Sequence, residues 1–272
     1  MICRTNERNR RENSDARDPP TDMGLLTNSS LAVGPKESSR PGLETERISI
    51  ESGEGQVSAV YAHQIGTSPA DCLFIAHPAK SSMNSSLVGY FHSGLAALGF
   101  LTVKFNFPYA EGRWRLARKP DRTEVLVDCY RRVVEETRKS KWKPRNLFLG
   151  GVSMGAAVAS HVVADRPEIA GLTGVFFLSY PLHRPGDSDI LGDKHLHKIS
   201  LPMIFVAGTK DINARPKALK SAVSRLGART QIHWVEGADQ SFNKHKGTAI
   251  YSKSLEEIVQ TLAHWIKSNE RP

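Results

Sequence analysis

Hydrophobic and polar positions along the chain predict strands and helices in regular alternation. Residues 47–52 and 57–63 alternate apolar and polar side chains, which is typical of an antiparallel strand pair. Residues 72–77 form a short apolar run, as expected for a strand covered on both faces. Further strands are predicted at 100–107, 146–151, 172–179, 202–208 and 230–237.

Helices are predicted between these strands. The helical segments lie near residues 87–98, 122–139, 154–166, 217–225 and 255–266. Because strands and helices alternate at this spacing, we expect the α/β class, with a mostly parallel twisted sheet and helices on both faces.

Residues 1–46 differ in composition from the rest of the chain. They are rich in Arg, Ser, Asn, Asp, Pro and Gly and cannot bury enough apolar surface to order themselves. They also lack the apolar run of a secretory signal and hold too many acids for a transit peptide. We therefore expect a disordered extension over 1–46 (or a start site placed too early), an α/β domain over 47–272, and a cytoplasmic location.

The net charge of +9 belongs to the α/β domain, because residues 1–46 hold seven basic and eight acidic side chains. Basic residues concentrate between Lys104 and Arg145. Five of them lie close together in the sequence, namely Arg113, Arg115, Arg118, Lys119 and Arg122. This cluster is either a solvated face or a surface that recruits an anionic small-molecule substrate or a protein partner.

Several classes of protein are excluded or disfavoured by what the sequence lacks. No window approaches the roughly 18 apolar residues of a membrane span, so no membrane insertion is expected. The three cysteines are too scattered for a disulfide scaffold or a metal site, and no cofactor is predicted. A nucleic-acid partner is not expected, because no recognition motif is present.

The clearest chemical signal is the sequence GVSMG, residues 151–155, between an apolar strand and a helix. A sharp strand-to-helix turn at this place would expose the hydroxyl of Ser153 as a nucleophile above the sheet. The alternative is a glycine-rich turn in which Ser153 only caps the helix. The strand–turn–helix context favours the nucleophile.

A serine nucleophile needs a base to take its proton and a carboxylate to orient that base. In sheets with this turn, the nucleophile, acid and base follow in that order at the carboxyl ends of strands. Asp211 follows the strand predicted at 202–208 and fits the acid. An ordinary turn aspartate is the alternative.

The chain resembles the α/β-hydrolase superfamily from Phe74 to Ile266. It is most similar to the small, lid-less, dienelactone-hydrolase-like group that includes the hydrolase-like domains of testis-expressed and NSL-complex proteins. The resemblance rests on the sequences IAHPAKSSMNS, VKFNFPYAEG, GGVSMGAAVAS, LSYPLHRPG, HLHKISLPMIFVAGTKD and EGADQSF, which occur in this order.

The resemblance implies the α/β-hydrolase fold and a serine hydrolase acting on a small ester, thioester or related carbonyl substrate. The interval from residue 179 to 202 is too short for a lid domain. The amides of Met154 and Ala79 would hold the oxyanion. The implied substrate pocket is bordered by His77, Phe107, Tyr109 and His183.

Three positions depart from the family pattern. Gln240 stands where the family has its base histidine, and glutamine cannot accept a proton near neutral pH. Pro78 replaces a glycine of the oxyanion loop, and Val152 replaces a common arginine.

His245, five residues after Gln240, is the candidate replacement base, and a solvated loop residue is the alternative. The two functional hypotheses are therefore an active serine hydrolase and an inactive hydrolase-like binding or scaffold protein.

Overall fold

All eight strands predicted for the main sheet are present in the computed structural model, which describes residues 42–112, 119–165, 168–184, 187–243 and 248–271. The strands are β1 Leu43–Ser52, β2 Gly55–Gln64, β3 Asp71–Ala76, β4 Leu101–Phe105, β5 Asn146–Val152, β6 Leu172–Leu178, β7 His183–Arg184, β8 Asp187–Leu191, β9 Met203–Gly208 and β10 Thr230–Val235. The helices are α1 Ser86–Ala96, α2 Thr123–Lys139, α3 Met154–Asp165, α4 Pro216–Val223 and α5 Thr248–Lys267.

The main sheet has the strand order β1-β2-β4-β3-β5-β6-β9-β10. β2 is antiparallel to both of its neighbours, and the remaining pairs are parallel. The predicted α/β class with a mostly parallel sheet is therefore confirmed. Because the parallel strands run in one direction, the loops that follow β3, β5, β6 and β9 leave the sheet at the same edge, where ligands bind in such folds.

Helices cover both faces of the sheet, as predicted. Residues of α1 and α5 pack on one face in a cluster with Leu73 and Ile75 of β3. Residues of α2, α3 and α4 pack on the other face with Phe74 and Ala76 of the same strand. β3 is buried along its whole length because its side chains alternate between these two helix layers.

The structure differs from the sequence prediction most clearly in three places. β1 begins at Leu43, ahead of the domain start predicted at residue 47, because its backbone pairs with β2 from Leu43 opposite Gln64. α5 begins at Thr248, ahead of residue 255. The short β7–β8 hairpin was not predicted. Of the extension predicted to be disordered, 1–46, residues 1–41 lie outside the described residues, and 43–46 belong to β1.

The segment between β6 and β9 contains the β7–β8 hairpin and a 3₁₀ turn, Lys194–Lys198, and no lid domain in its described part. In the part of the chain that the structure describes, none of the helices is both long and apolar enough to cross a membrane.

We expect Trp265 of α5 to be a major stabilising contact of the fold. Its ring is 3% exposed and meets the Phe148 ring of β5 edge-on, with 5.8 Å between ring centroids. Trp265→Ala should lower the free energy of unfolding by about 3–5 kcal/mol, because it leaves a cavity in the core. Chemical denaturation measures this loss, and substitution of the exposed neighbour, His264→Ala, should change stability by less than about 0.5 kcal/mol.

Candidate active site

Ser153 lies in a sharp turn between β5 and α3. Its backbone φ is +51°, in the left-handed region that non-glycine residues rarely adopt. Two main-chain hydrogen bonds hold this conformation, from Ser153 N to Leu178 O (2.8 Å) and from Ala157 N to Ser153 O (3.1 Å). The predicted strand–turn–helix geometry around Ser153 is therefore present.

The two glycines of the turn are required by close packing. A Cβ atom on Gly155 would overlap the main-chain carbonyl of Ala76 at the end of β3. A Cβ atom on Gly151 would lie 2.6 Å from the carbonyl carbon of Gly155. Only glycine lets α3 approach the carboxyl ends of β3 and β5 so closely.

The predicted oxyanion donors lie on either side of this contact. Met154 is the first residue of α3, so its amide has no acceptor within the helix. This amide lies at the positive end of the helix dipole. Ala79 is exposed and lies in the loop that leaves β3 directly after Ala76. Ala76 pairs with Gly151 across the sheet, so this loop starts beside Ser153. The shared role of the two amides stays a prediction.

His77 supports the loop that follows β3, and its predicted place at the border of the substrate pocket stays a prediction. Its ring is fully buried, its Nδ1 donates to the Pro78 carbonyl (2.8 Å), and its Nε2 accepts from the Phe107 amide (3.2 Å). Burial lowers the pKa of His77 to about 4, against the opposing effect of the Pro78 hydrogen bond. The ring is therefore neutral at pH 7 and joins the loops that follow β3 and β4.

Phe107 and Tyr109 are also buried, and both rings pack against His77 with centroid distances of 5.0 and 5.7 Å. These two residues form an aromatic support under the loop, and their predicted contact with substrate stays a prediction.

Asp211 follows β9 at the expected edge of the sheet and is 1% exposed. Its Oδ1 accepts a hydrogen bond from the Asn213 amide (2.8 Å), whereas its Oδ2 has no hydrogen-bond partner among the described residues. Burial raises the pKa of Asp211 above its ordinary value, although the amides of Asn213 and Ala214 act in the opposite direction. The carboxylate thus has one oxygen fixed and one available for a further donor.

The loop that carries Gln240 packs against the loop of Asp211. Lys210 N donates to Ala238 O (2.8 Å), and the carboxylate of Asp239 accepts from the amides of Ser241 and Asn243. Gln240 itself is exposed and makes no described hydrogen bond with Ser153. The position at which the resemblance implies a base histidine therefore lies in a hydrogen-bonded loop and carries a side chain that cannot accept a proton.

His183, predicted at the pocket border, is 6% exposed at the start of β7. Its amide donates to the Asn213 carbonyl (2.9 Å), which brings it to the loop of Asp211. Neither ring nitrogen has a hydrogen-bond partner among the described residues. His245, the base candidate from the sequence, lies outside the described residues.

The basic cluster is only partly described. Lys119 and Arg122 are exposed, while Arg113, Arg115 and Arg118 lie outside the described residues. Lys104 is buried in β4, so it does not belong to an exposed basic surface.

Sequence reasoning missed two residues at this edge. Ser179, the residue after β6, has a φ of +51° and a buried hydroxyl without a described partner. Asn213 joins Asp211 to His183 through its main chain. The D-x-N spacing of residues 211–213 is a turn signal that could have identified Asn213, whereas no local signal marks Ser179.

Comparison with known proteins gives one family match. The family described as an alpha/beta hydrolase domain matches residues 69–267, more than half of the chain.

Solved structures of similar fold include a dienelactone hydrolase from Anabaena variabilis, with 18% identity and a TM-score of 0.66 over 85% of this chain and 100% of that one. A serine hydrolase homologue from Coxiella burnetii has 20% identity and a TM-score of 0.64 over 80% and 96%. A serine hydrolase without a lid from Xanthomonas campestris has 18% identity and a TM-score of 0.64 over 84% and 97%. At these identities the likeness shows a shared fold.

The buried neutral His77 should make stability depend on pH. Its folded pKa of about 4 lies below the unfolded value of about 6.5, so the unfolded state binds the proton first and stability falls as pH falls from 6.5 to 4. His77→Gln should remove up to about 2 kcal/mol of the stability difference between pH 7 and pH 5. Urea denaturation at both pH values measures it, and exposed His264→Gln should keep the wild-type difference.

Asp211→Asn should stabilise the fold at pH 7. The substitution removes a buried charge that has one unpartnered oxygen and keeps the acceptor for Asn213. The gain should shrink as pH falls, because the raised pKa lets the wild-type carboxyl take up its proton in the folded state before the unfolded one. Thermal unfolding from pH 7 to pH 4 tests this prediction. Glu54→Gln removes one charge at an exposed position and is the matched control. An unfolding temperature of Asp211→Asn below that of the wild type at pH 7 would contradict the prediction.

Proposed function

The chain belongs to the alpha/beta hydrolase domain family, and on this premise we propose that it is a serine hydrolase that cleaves a small ester, thioester or related carbonyl compound through Ser153. Asp211 orients the imidazole that takes the Ser153 proton. The amides of Met154 and Ala79 stabilise the oxyanion that forms on the substrate carbonyl.

The conformation of Ser153 is the observation that carries this proposal. Its positive φ costs free energy, and close packing of Gly151 and Gly155 holds it in place. A strained serine at the first turn of a buried helix exposes its hydroxyl beside helix amides, as acyl transfer requires.

The substrate class rests on weaker support. The described chain has no lid over the carboxyl edge of the sheet, which suits a small substrate that enters from solvent. The net charge of +9 favours an anionic substrate or an acidic protein partner. The cytoplasmic location and the closer kinship with testis-expressed and NSL-complex domains stay predictions.

An inactive binding or scaffold protein is the second candidate, and the exposed Gln240 favours it. In that case the fold and the turn at Ser153 are retained, while no group near Ser153 accepts its proton.

A fluorophosphonate probe separates the two candidates, since it labels only an activated serine. The purified protein should be labelled, and Ser153→Ala should lose labelling and reduce hydrolysis of p-nitrophenyl acetate by at least about 10³-fold. Exposed Ser221→Ala is the matched control and should be labelled like wild type. Gln240→Ala should also keep labelling, because a glutamine contributes no base.

The scaffold candidate predicts the opposite pattern. The wild-type protein would remain unlabelled, and labelling with esterase activity would appear only in Gln240→His.

A further inference from the structure

We propose that His183 is the general base of this site, in place of the family's histidine at the position of Gln240. The inference rests on the proposed hydrolase function of Ser153. It starts from two buried side chains at the carboxyl edge of the sheet, His183 and Asp211. Both ring nitrogens of His183 and the Oδ2 atom of Asp211 have no hydrogen-bond partner among the described residues.

The other histidines of the described chain are poorly placed for this role. The chain has ten histidines, of which nine are described. His77 uses both ring nitrogens for contacts within the protein. Seven lie on helices, on β2 or β10, or in the turn before β9; they are His63, His92, His161, His195, His197, His233 and His264. His183 is the remaining described histidine at this edge.

Main-chain hydrogen bonds link the segment of His183 to the loop of Asp211 and to the turn of Ser153. Its amide is bound to the Asn213 carbonyl, and the Asn213 amide is bound to Asp211 Oδ1, so Asn213 connects the acid to the histidine. Leu178 lies five residues before His183, and its carbonyl accepts a hydrogen bond from the amide of Ser153. The position of His183 is thus set by the same loops that set the nucleophile and the acid.

The unused atoms of the two side chains are complementary. Asp211 Oδ2 is a buried acceptor without a donor, and a neutral imidazole offers one donor and one acceptor. Burial raises the pKa of Asp211, and a positive charge on the His183 ring acts in the opposite direction, although it is the smallest of the effects on that carboxyl. Both groups are buried, so their attraction is screened less than at the surface. One ring nitrogen would face Asp211 and the other would serve Ser153.

The chemistry balances with these groups alone. His183 takes the Ser153 proton while the Ser153 oxygen bonds to the substrate carbonyl carbon, whose π electrons move onto the oxyanion. When the tetrahedral adduct collapses, the bond to the leaving oxygen or sulfur breaks, and His183 gives its proton to the leaving group. Water then attacks the acyl-enzyme, His183 takes a proton from that water, and it returns the proton to Ser153 as the acid is released.

The experiment compares fluorophosphonate labelling rates in four full-length variants. His183→Gln should label about 10²–10⁴-fold more slowly than wild type, which is the usual contribution of a general base. Exposed His197→Gln is the matched control and should label at the wild-type rate. His245→Gln tests the base candidate from the sequence and should also label normally. Combining His183→Gln with Gln240→His should restore labelling at least tenfold, since it supplies an imidazole at the family's position.

The outcomes separate this inference from the proposed function. Normal labelling of His183→Gln, together with loss in Ser153→Ala, overturns the role of His183 and leaves the hydrolase intact. Loss of labelling in His245→Gln alone assigns the base to His245. No labelling of the wild-type protein overturns both proposals. Loss in His183→Gln without recovery in the double variant marks His183 as a structural residue and also overturns the inference.

A second measurement applies if substitution of His183 prevents folding. In His245→Gln, which keeps His183, the labelling rate of Ser153 should still fall as the pH is lowered, because protonation of an imidazole base stops it from accepting the serine proton. A labelling rate in this variant that does not change with pH would contradict the inference.

Discussion

The close approach of α3 to the end of β3 is the constraint on which the site depends. A side chain at Gly155 would overlap the Ala76 carbonyl, so this contact exists only with glycine. Ser153, with its positive φ, lies directly before this contact, and the loop after Ala76 starts beside it. One packing contact therefore brings together Ser153, the first amide of α3 and the loop that follows β3.

Asp211 adds an energetic argument about function. A buried carboxylate with an unpartnered oxygen costs stability, and an asparagine or leucine would avoid that cost. His77, by contrast, is buried with both ring nitrogens in hydrogen bonds, so its burial is explained by its structural role. Ser179, His183 and Asp211 each have an unsatisfied buried atom at this edge of the sheet. Such groups are typical of a site whose partner is a substrate or a moving side chain.

The sequence predicts the sheet well because hydrophobic periodicity is local, and it places Ser153 and Asp211 after β5 and β9 because the periodicity marks those strands. It fails where the decisive fact is a tertiary contact. Whether His77 lines a pocket or joins two loops depends on the Phe107 amide, thirty positions away. The partners of His183 likewise depend on Asn213, and the early start of β1 on its pairing with β2.

The order of the Gln240 loop does not by itself argue for catalysis. The carboxylate of Asp239 accepts hydrogen bonds from two amides of that loop, and the ring of Phe242 is buried against Phe91. The carbonyl of Ala238 accepts a hydrogen bond from the amide of Lys210 in the neighbouring loop. These contacts support the turn that holds Asp211, so the loop would be retained for stability whichever residue stands at 240. Gln240, which stands where the resemblance implies a histidine, therefore leaves the contacts around Asp211 intact. The unused nitrogens of His183 then become the relevant feature of the site.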